Sequence, residues 1–460
     1  MVNIMMDNVL DYIEKKKGKH LNELIEFLRF RSISSKSEHK EDMIRAAEWL
    51  ANNMKDVGIE NVKIVETKGH PIVYGDWLKA GEDKPTVLVY GHYDVQPVEP
   101  LDLWVNDPFE PTIRDGKIFA RGSADDKGQV FTHIKAVESY LQTVGFLPVN
   151  IKFLIEGEEE AGSSNLDDFI ISNKEMLGAD LALISDTEWF AKGMPTICYG
   201  LRGITFFEMT LIGPNRDLHS GTFGGAVDNP INVLASIISK LKDEYGRITV
   251  PGFYDDVQEL SMSERKEFEK LPFEIEEYKK DLGIREVYGE VGYTTLERVW
   301  IRPSLDVNGI FGGYTGEGAK TVLPSRATAK ISMRLVPNQK ADDIAKKVEN
   351  YIKQLVPPTM KLEMQVLHGG NPVVVPIDSK AIKAAEKALH KAFHKDVVYM
   401  REGGSIPVTE LFQDVLNAPP ILMGLGLPSD NIHSPNENFE IENFFGGIRA
   451  SAYFFDEITK

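Results

Sequence analysis

Four short apolar runs in the first and last parts of the chain lack the alternation of an amphipathic strand. Each run has the length of a strand and is rich in β-branched or aliphatic residues. The runs are Thr86–Tyr90, Asn150–Ile155, Leu181–Ile184 and Ile421–Met423. Strands of this composition are buried on both faces, as they are in α/β sheets.

Apolar residues at helical spacing lie between these runs. One stripe begins at Val130 and continues through Ile134 and Val137. His133 lies off that stripe, so we expect it on the surface of the helix. Because strands and helices alternate, we predict an α/β domain with a mostly parallel sheet flanked by helices.

A different order of elements is predicted for the middle of the chain. There the pattern gives strand, helix, strand, strand, helix and strand, the order of an α+β split βαβ unit. These elements are predicted at residues 205–211, 229–242, 305–310, 329–335, 341–355 and 362–367. We therefore predict a first domain in two parts, residues 1–202 and 376–460, with a second domain of residues 203–375 inserted between them.

Composition and charge narrow the classes of partner. The chain has 460 residues and a net charge of −18, with 52 basic and 70 acidic residues. This charge argues against nucleic acid, which needs a basic surface, and against an anionic membrane. No apolar stretch approaches the ~20 residues of a transmembrane helix. With a single cysteine, Cys198, and no signal-peptide pattern, the sequence predicts a cytoplasmic protein.

Residue types that bind metals follow each of the four apolar runs. His92 and Asp94 follow the first run, glutamates at 156–160 follow the second, Asp186 follows the third, and His433 lies in the loop after the fourth. In α/β sheets, ligands bind at the carboxyl ends of the strands. Acidic residues are also common in turns, but their recurrence after all four runs favours a metal centre.

The Gly-rich stretch Arg121–Gly128 leads into the helix that carries Val130. Asp125 or Asp126 could cap this helix, or one of them could be a metal ligand. Two histidines and several carboxylates, with no cysteine nearby, suit zinc, manganese or cobalt in an open site. These residues leave open whether the site holds one metal or two.

Several separated motifs resemble those of the M20 family of dinuclear metallopeptidases, and more narrowly its carnosinase-like dipeptidase branch. The motifs are GHYDVQP at 91–97, GSADDKG at 122–128, EEAGS at 159–163 and the late His433. The resemblance extends from about His92 to the C-terminus. It implies that the inserted domain is a lid and dimerisation domain and that the discontinuous domain is catalytic.

The resemblance also implies how the metal ligands are shared. His92 and Asp186 hold one divalent metal, Glu160 and His433 hold the other, and Asp125 bridges the two. The expected cofactor is therefore two divalent ions per subunit, with zinc expected and manganese or cobalt as alternatives.

Further catalytic roles follow from the same resemblance. A water that bridges the metals attacks the substrate, and Glu159 is its general base. Asp94 accepts the second ring N–H of His92 and fixes its tautomer. The peptide bond between Asp125 and Asp126 is expected to be cis.

Substrate contacts are implied outside the metal centre. His219, in the segment RDLHSG, stabilises the oxyanion in the active site of a partner subunit, so the working unit is a homodimer. Arg334 binds the C-terminal carboxylate, because its planar guanidinium matches that group. Thr321, His368 and Ser405 lie around the substrate.

The expected reaction is metal-dependent hydrolysis of the amide bond of dipeptides or short peptides that have a free C-terminal carboxylate. An N-acyl-amino-acid deacylase on the same scaffold is the alternative function. A third hypothesis is a non-catalytic assembly module. We disfavour it because every expected ligand is present in the sequence.

Overall fold

A computed structural model describes residues 2–404, 406 and 408–460, without the side chains of residues 2–4 and 368. The strands are β1 (Glu60–Val65), β2 (Ile72–Trp77), β3 (Thr86–His92), β4 (Thr112–Arg114), β5 (Lys117–Phe119), β6 (Asn150–Glu156), β7 (Leu181–Ile184), β8 (Thr196–Leu201), β9 (Gly203–Ile212), β10 (Leu218–His219), β11 (Ser304–Gly312), β12 (Val322–Leu323), β13 (Arg326–Leu335), β14 (Lys361–Gly370), β15 (Val373–Val374), β16 (Val398–Glu402), β17 (Pro420–Leu422) and β18 (Asn438–Glu440). The helices are α1 (Val2–Lys15), α2 (Lys17–Leu28), α3 (Lys40–Val57), α4 (Lys127–Thr143), α5 (Leu166–Ser172), α6 (Lys174–Leu177), α7 (Ser220–Phe223), α8 (Pro230–Ser239), α9 (Met262–Glu269), α10 (Ile275–Leu282), α11 (Thr295–Trp300), α12 (Ala341–Leu355), α13 (Lys380–Phe393), α14 (Val408–Asp414) and α15 (Ile441–Glu457).

The chain forms two compact units. The first comprises Met1–Tyr199, Val375–Met400 and Leu411–Lys460, and the second comprises Gly200–Val374 and Arg401–Glu410. The second unit therefore interrupts the first at two places in the chain, whereas the sequence pattern predicted one insertion. The short second interruption has no hydrophobic period that would indicate where it packs.

The first unit is built on a sheet whose central strands are parallel. Its strand order is β1-β2-β6-β3-β7-β17-β8, in which β3 is parallel to β6 and β7, and β17 is parallel to β7. Antiparallel strands, β2 and β8, flank this centre. Every residue of β2, β6 and β7 is buried, which explains the continuous apolar runs. The carboxyl ends of β6, β3, β7 and β17 lie along one edge of the sheet.

Helix α4 is covered on all sides. It packs against β3 and against α1, α2, α3 and α15, and its residues from Lys127 to Tyr140 are all buried. The expectation that His133 lies on the surface is therefore wrong. His133 is fully buried, and its ring nitrogens lie 2.9 Å from the hydroxyls of Ser185 and Ser451. The stripe pattern implied one exposed face, whereas layers on both sides enclose this helix.

The second unit contains a four-stranded antiparallel sheet in the order β11-β13-β9-β14. Along β13, buried Ala329, Ile331 and Met333 alternate with partly exposed residues. The buried residues pack with apolar side chains of α8 and α12. The order of these strands and helices is that of a split βαβ unit. The predicted fold class, an α/β domain with an inserted α+β domain, is confirmed.

A small sheet in the first unit joins two distant parts of the chain. Its order is β18-β5-β4, and β18 is antiparallel to β5, with Asn438 opposite Phe119. This pairing brings the residue before β18 next to the loop that follows β5. Among the helices in the described residues, none has both the length and the apolar character that a bilayer span requires.

Replacing His133 by glutamine should weaken the pH dependence of stability. Burial lowers the pKa of His133 to about 3, below the value of about 6.5 for an unfolded chain. Between these values the unfolded state binds a proton that the folded state does not, so stability falls as the pH falls from about 6.5 toward 3. From pH 7 to pH 5, the original protein should lose about 2 kcal/mol more than His133→Gln.

The measurement is urea unfolding of the metal-free proteins at both pH values, followed by tryptophan fluorescence. Trp49, Trp77, Trp104 and Trp189 all belong to the first unit and report on its transition. Groups other than His133 titrate alike in the two proteins, so they cancel in the comparison. Equal losses of stability in the two proteins would contradict the prediction.

Candidate metal centre

The carboxyl edge of the parallel strands collects the predicted metal ligands. His92 is the last residue of β3, Glu160 follows β6, Asp186 follows β7, and His433 lies between β17 and β18. Asp125 lies in the loop that leads into α4. The topology of the sheet therefore brings together residues that are far apart in the chain.

Two groups of three side chains share Asp125. His92, Asp125 and Asp186 form the first group, and Asp125, Glu160 and His433 form the second, with ligand atoms within 4.8 Å of one another in each. His92 Nε2 lies 3.1 Å from Asp125 Oδ1 and 3.8 Å from Asp186 Oδ2. His433 Nε2 lies 2.9 Å from Asp125 Oδ2 and 3.3 Å from Glu160 Oε2. One carboxylate oxygen of Asp125 therefore lies next to the histidine of the first group, and the other lies next to the histidine of the second. The peptide bond between Asp125 and Asp126 is cis, as expected.

Asp94 orients three neighbours at once. His92 Nδ1 lies 3.1 Å from the main-chain carbonyl of Asp94. Because a carbonyl only accepts, Nδ1 carries the hydrogen and Nε2 is left for a metal. The Asp94 carboxylate lies 3.4 Å from Nδ1 and accepts hydrogen bonds from the main-chain N–H groups of Glu159, at 3.2 Å, and Glu160, at 3.0 Å. The sequence did not indicate this second task.

The acidic side chains of the site repel one another in a place that water hardly reaches. Burial and the neighbouring Asp125 raise the pKa of Asp186 well above its ordinary value. Burial is also the main cause that raises the pKa of Glu159 to about 7 and the pKa of Asp126 to about 8. Carboxylates in this position stay ionised only when positive charge is close to them.

The two histidines supply part of that positive charge. Burial raises the pKa of Asp125, but its hydrogen bonds with His433 and His92 outweigh burial and lower the pKa below the ordinary range. The hydrogen bonds with Asp125 and Glu160 raise the pKa of His433 to about 10. Burial lowers the pKa of His92, yet its hydrogen bonds with Asp125 and Asp94 raise it well above 6.5.

These residues fit divalent metal ions. Both groups combine one imidazole nitrogen with carboxylate oxygens, and neither contains a thiolate. Donors of this kind suit zinc, manganese and cobalt. A divalent ion in each group would also offset the repulsion that raises the pKa values of the carboxyl groups.

A model of peptidase family M20/M25/M40 matches residues 88–457. The chain belongs to this peptidase family. The predicted M20-type metallopeptidase is thereby confirmed, and membership of the family implies divalent metal ions.

Curated relatives of this M20 peptidase span almost the whole chain. The Cys-Gly metallodipeptidase of Schizosaccharomyces pombe is 32% identical and covers 100% of this chain and 99% of that protein. The Beta-Ala-His dipeptidase of Homo sapiens is 31% identical over 99% of this chain and 93% of that protein. A solved structure of an M20 family metallo-carboxypeptidase from Sulfolobus solfataricus is 34% identical, covers 96% of this chain and 99% of that one, and has a TM-score of 0.85.

Two predicted substrate residues of the M20 chain lie side by side in the second unit. β10 pairs with β12, with His219 opposite Val322, and the Ser220 N–H donates to the carbonyl of Thr321 at 3.0 Å. His219 is exposed, and its Nδ1 accepts a hydrogen bond from the Gly221 N–H at 3.0 Å. Nε2 therefore carries the hydrogen of a neutral ring and can donate it.

Of the three other predicted substrate residues, two lie on strands of the antiparallel sheet. Arg334 is partly buried near the end of β13, opposite Ile204 and Ser304. His368 is in β14 opposite Phe206, and its side chain is not among those described. Ser405 lies outside the described residues.

Two contacts at the metal centre were missed by the sequence analysis. Gln96 donates from Nε2 to Glu160 Oε2 at 2.7 Å. Glu437 binds the loop that carries Asp125. The place of Gln96 in the motif GHYDVQP could have indicated its contact, whereas for Glu437 the only signal was its position four residues after His433.

Metal binding at pH 7 should release protons from the candidate ligands whose pKa values are raised in the metal-free protein, which are His92, His433 and Asp186. His92 and His433 have raised pKa values, and a metal binds only the unprotonated ring nitrogen. Metal affinity should therefore rise as the pH rises. Isothermal titration of Mn²⁺ in two buffers of different ionisation enthalpy measures the number of protons. A binding enthalpy that is the same in both buffers would contradict the prediction.

Proposed function

We propose that this chain is a dinuclear metallopeptidase that hydrolyses dipeptides or short peptides with a free C-terminal carboxylate. The observation that supports this most directly is the position of Asp125 between two groups of ligand atoms, each of which contains one histidine. His92 and Asp186 would hold one ion, Glu160 and His433 would hold the other, and Asp125 would contribute to both. Zinc is the expected metal, with manganese or cobalt as alternatives.

Glu159 is the general base of this proposal. It is next to Glu160 in the chain but belongs to neither group of candidate ligands among the described residues. When bound, the metal ions would lower the pKa of the attacking water and polarise the scissile carbonyl. Glu159 takes the proton of the attacking water and passes it to the leaving amine.

Arg334 binds the C-terminal carboxylate of the substrate in this proposal. Burial and the nearby Arg334 guanidinium lower the pKa of Arg202 to about 10. A substrate carboxylate would reduce the repulsion between these two guanidinium groups further than the nearby Asp306 already does, and it matches the planar donor fork of arginine. Thr321, His368 and Ser405 complete the substrate site.

The activities for which the relatives are named support the same substrate class. Two are named for the dipeptides Cys-Gly and Beta-Ala-His, and the third is a carboxypeptidase. Each of these substrates ends in a free carboxylate beside the scissile bond. An N-acyl-amino-acid deacylase is the alternative that an experiment must distinguish, because its substrates end in the same way but lack a free amino terminus.

A substrate panel tests the reaction. With Zn²⁺, Mn²⁺ or Co²⁺, the protein should hydrolyse dipeptides, and it should hydrolyse the same dipeptides poorly when their C-terminus is amidated. Glu159→Gln should lower kcat by about 10²–10⁴-fold, because the attacking water loses its base. Metal affinity should stay unchanged, since Glu159 is not a ligand.

Glu158→Gln is the matched control for that panel. Glu158 is the adjacent glutamate, and its carboxylate accepts hydrogen bonds from Asn165 Nδ2 at 3.1 and 2.8 Å. This variant should keep its turnover. Hydrolysis of N-acetyl amino acids alone would replace the dipeptidase proposal with the deacylase, and loss of metal from Glu159→Gln would show that the ligand assignment is wrong.

The proposed working unit is a homodimer in which His219 of one subunit donates to the oxyanion in the site of the other. His219 is exposed and can donate through Nε2, as the donor role requires. Among the described strands, β11 is at an edge of the antiparallel sheet and exposes Val307, Ile310 and Phe311. An edge strand with exposed apolar side chains is a template for pairing with a second chain.

Mixing two inactive variants tests the shared site. His219→Ala and Glu159→Gln should each be nearly inactive, and subunit exchange between them should restore about a quarter of the original activity. Half of the dimers would then be mixed, and each mixed dimer would hold one intact site. Activity that stays at the level of the single variants, after subunit exchange has been verified by mass spectrometry, would contradict the role of His219 in the partner's site.

A further inference from the structure

Glu437 is a fully buried carboxylate that binds four donors of a single loop. Its Oε2 accepts hydrogen bonds from Arg121 Nη1 at 2.7 Å and from the Gly122 N–H at 3.0 Å. Its Oε1 accepts from the N–H groups of Ala124, at 2.9 Å, and Asp125, at 3.1 Å. Three of the four donors are main-chain groups, so the carboxylate holds the course of the loop itself.

The main chain of Glu437 adds a further contact to the same loop. Its carbonyl accepts the N–H of Ala120 at 3.1 Å, and the next residue begins the pairing of β18 with β5. Glu437 also follows His433 by four residues in the chain. One residue therefore connects the loop that carries Asp125 with the loop that carries His433.

The loop adopts a conformation that few local sequences favour. Gly122 has a φ of +83°, and a Cβ at this position would lie 2.6 Å from Val95 Cγ1. Because glycine restricts its own backbone little, the hydrogen bonds of the loop fix this conformation, rather than the residue itself. At the end of the loop, the two carboxylate oxygens of Asp125 face different ligand groups, so a shift of the loop would displace a ligand of each group.

We propose that Glu437 is a positioning residue that fixes Asp125 and His433 relative to each other and thereby sets the metal affinity of both groups. The proposal rests on the proposed metal centre. It assigns to a residue that is not itself a ligand the task of keeping the shared ligand within reach of both ions. Partners of this kind typically change metal affinity or activity by about 10–100-fold when they are replaced.

A purely structural ion pair is the competing explanation. Arg121 is buried, donates from Nη2 to the Pro97 carbonyl at 3.0 Å, and lies 5.4 Å from the ring centroid of Trp104. The pair with Glu437 therefore also contributes to packing. A structural pair would change the unfolding temperature and leave metal affinity and the local exposure of the loop unchanged.

Glu437→Gln tests the two explanations. The amide keeps the shape of the side chain. Its NH₂ group, however, cannot accept the hydrogen bonds that the N–H groups of the loop had donated to a carboxylate oxygen, so the loop loses part of its support. Affinity for Mn²⁺ or Zn²⁺, measured by isothermal titration, should fall by about 10–100-fold. At saturating metal, kcat for a dipeptide should fall while KM stays unchanged. In the metal-free protein, the amides of Gly122, Ala124 and Asp125 should exchange with deuterium faster than in the original protein.

Glu290→Gln is the control for a buried ion pair outside the metal centre. Glu290 is buried in the second unit and accepts hydrogen bonds from Arg302 Nε and Nη2, both at 2.8 Å. This variant should lower the unfolding temperature and leave metal affinity and the exchange of the three loop amides unchanged.

Unchanged metal affinity and unchanged amide exchange in folded Glu437→Gln would overturn the proposal. If that variant does not fold, amide exchange in the original metal-free protein decides between the explanations. Fast exchange at Gly122, Ala124 and Asp125 would show that the hydrogen bonds to Glu437 do not hold the loop, and would overturn the proposal. An original protein that binds no divalent ion would instead refute the proposed metal centre. Protection of the same three amides would still show that the hydrogen bonds to Glu437 hold the loop.

Discussion

Negative charge confined to a buried space is the constraint on which the organisation of the first unit depends. Carboxylates from three strand ends and from the loop before α4 converge at one edge of the sheet. The fold offsets their repulsion with histidines and with main-chain N–H donors. Asp94 accepts from the N–H groups of Glu159 and Glu160, and Glu437 accepts from those of the Asp125 loop. Fixed donors of this kind stabilise the ionised acids and hold the loops of the candidate ligands close together.

The sequence predicted the secondary-structure elements and the candidate ligands that depend on local patterns. Fully buried strands leave continuous apolar runs, and the turns after them are short, so His92 and Asp186 could be placed at the sheet edge. Buried and partly exposed residues alternate along β13, and α12 is amphipathic, so local patterns also predicted these elements of the second unit. The assignment of metal ligands and of the general base to individual residues depended on the family resemblance, because adjacent glutamates have the same local pattern.

Features that depend on distant partners could not be predicted from the sequence. His133 was placed wrongly because α15, far along the chain, packs on α4 in addition to β3 and the N-terminal helices, and this leaves α4 without an exposed face. Glu437 escaped notice because its four donors lie more than 300 residues away from it. The second part of the second unit, Arg401–Glu410, was missed for the same reason, since Arg401 pairs with Glu264 on α9.

The shared carboxylate of Asp125 makes the two ligand groups thermodynamically linked. An ion in the first group would draw on the charge of the same side chain that the second group needs, and it would also fix the orientation of that side chain. Occupancy of one group therefore changes the affinity of the other, and by reciprocity the factor is equal in both directions. Two ions bound in this way would fill their positions as a coupled pair, and neither would have an affinity independent of the other.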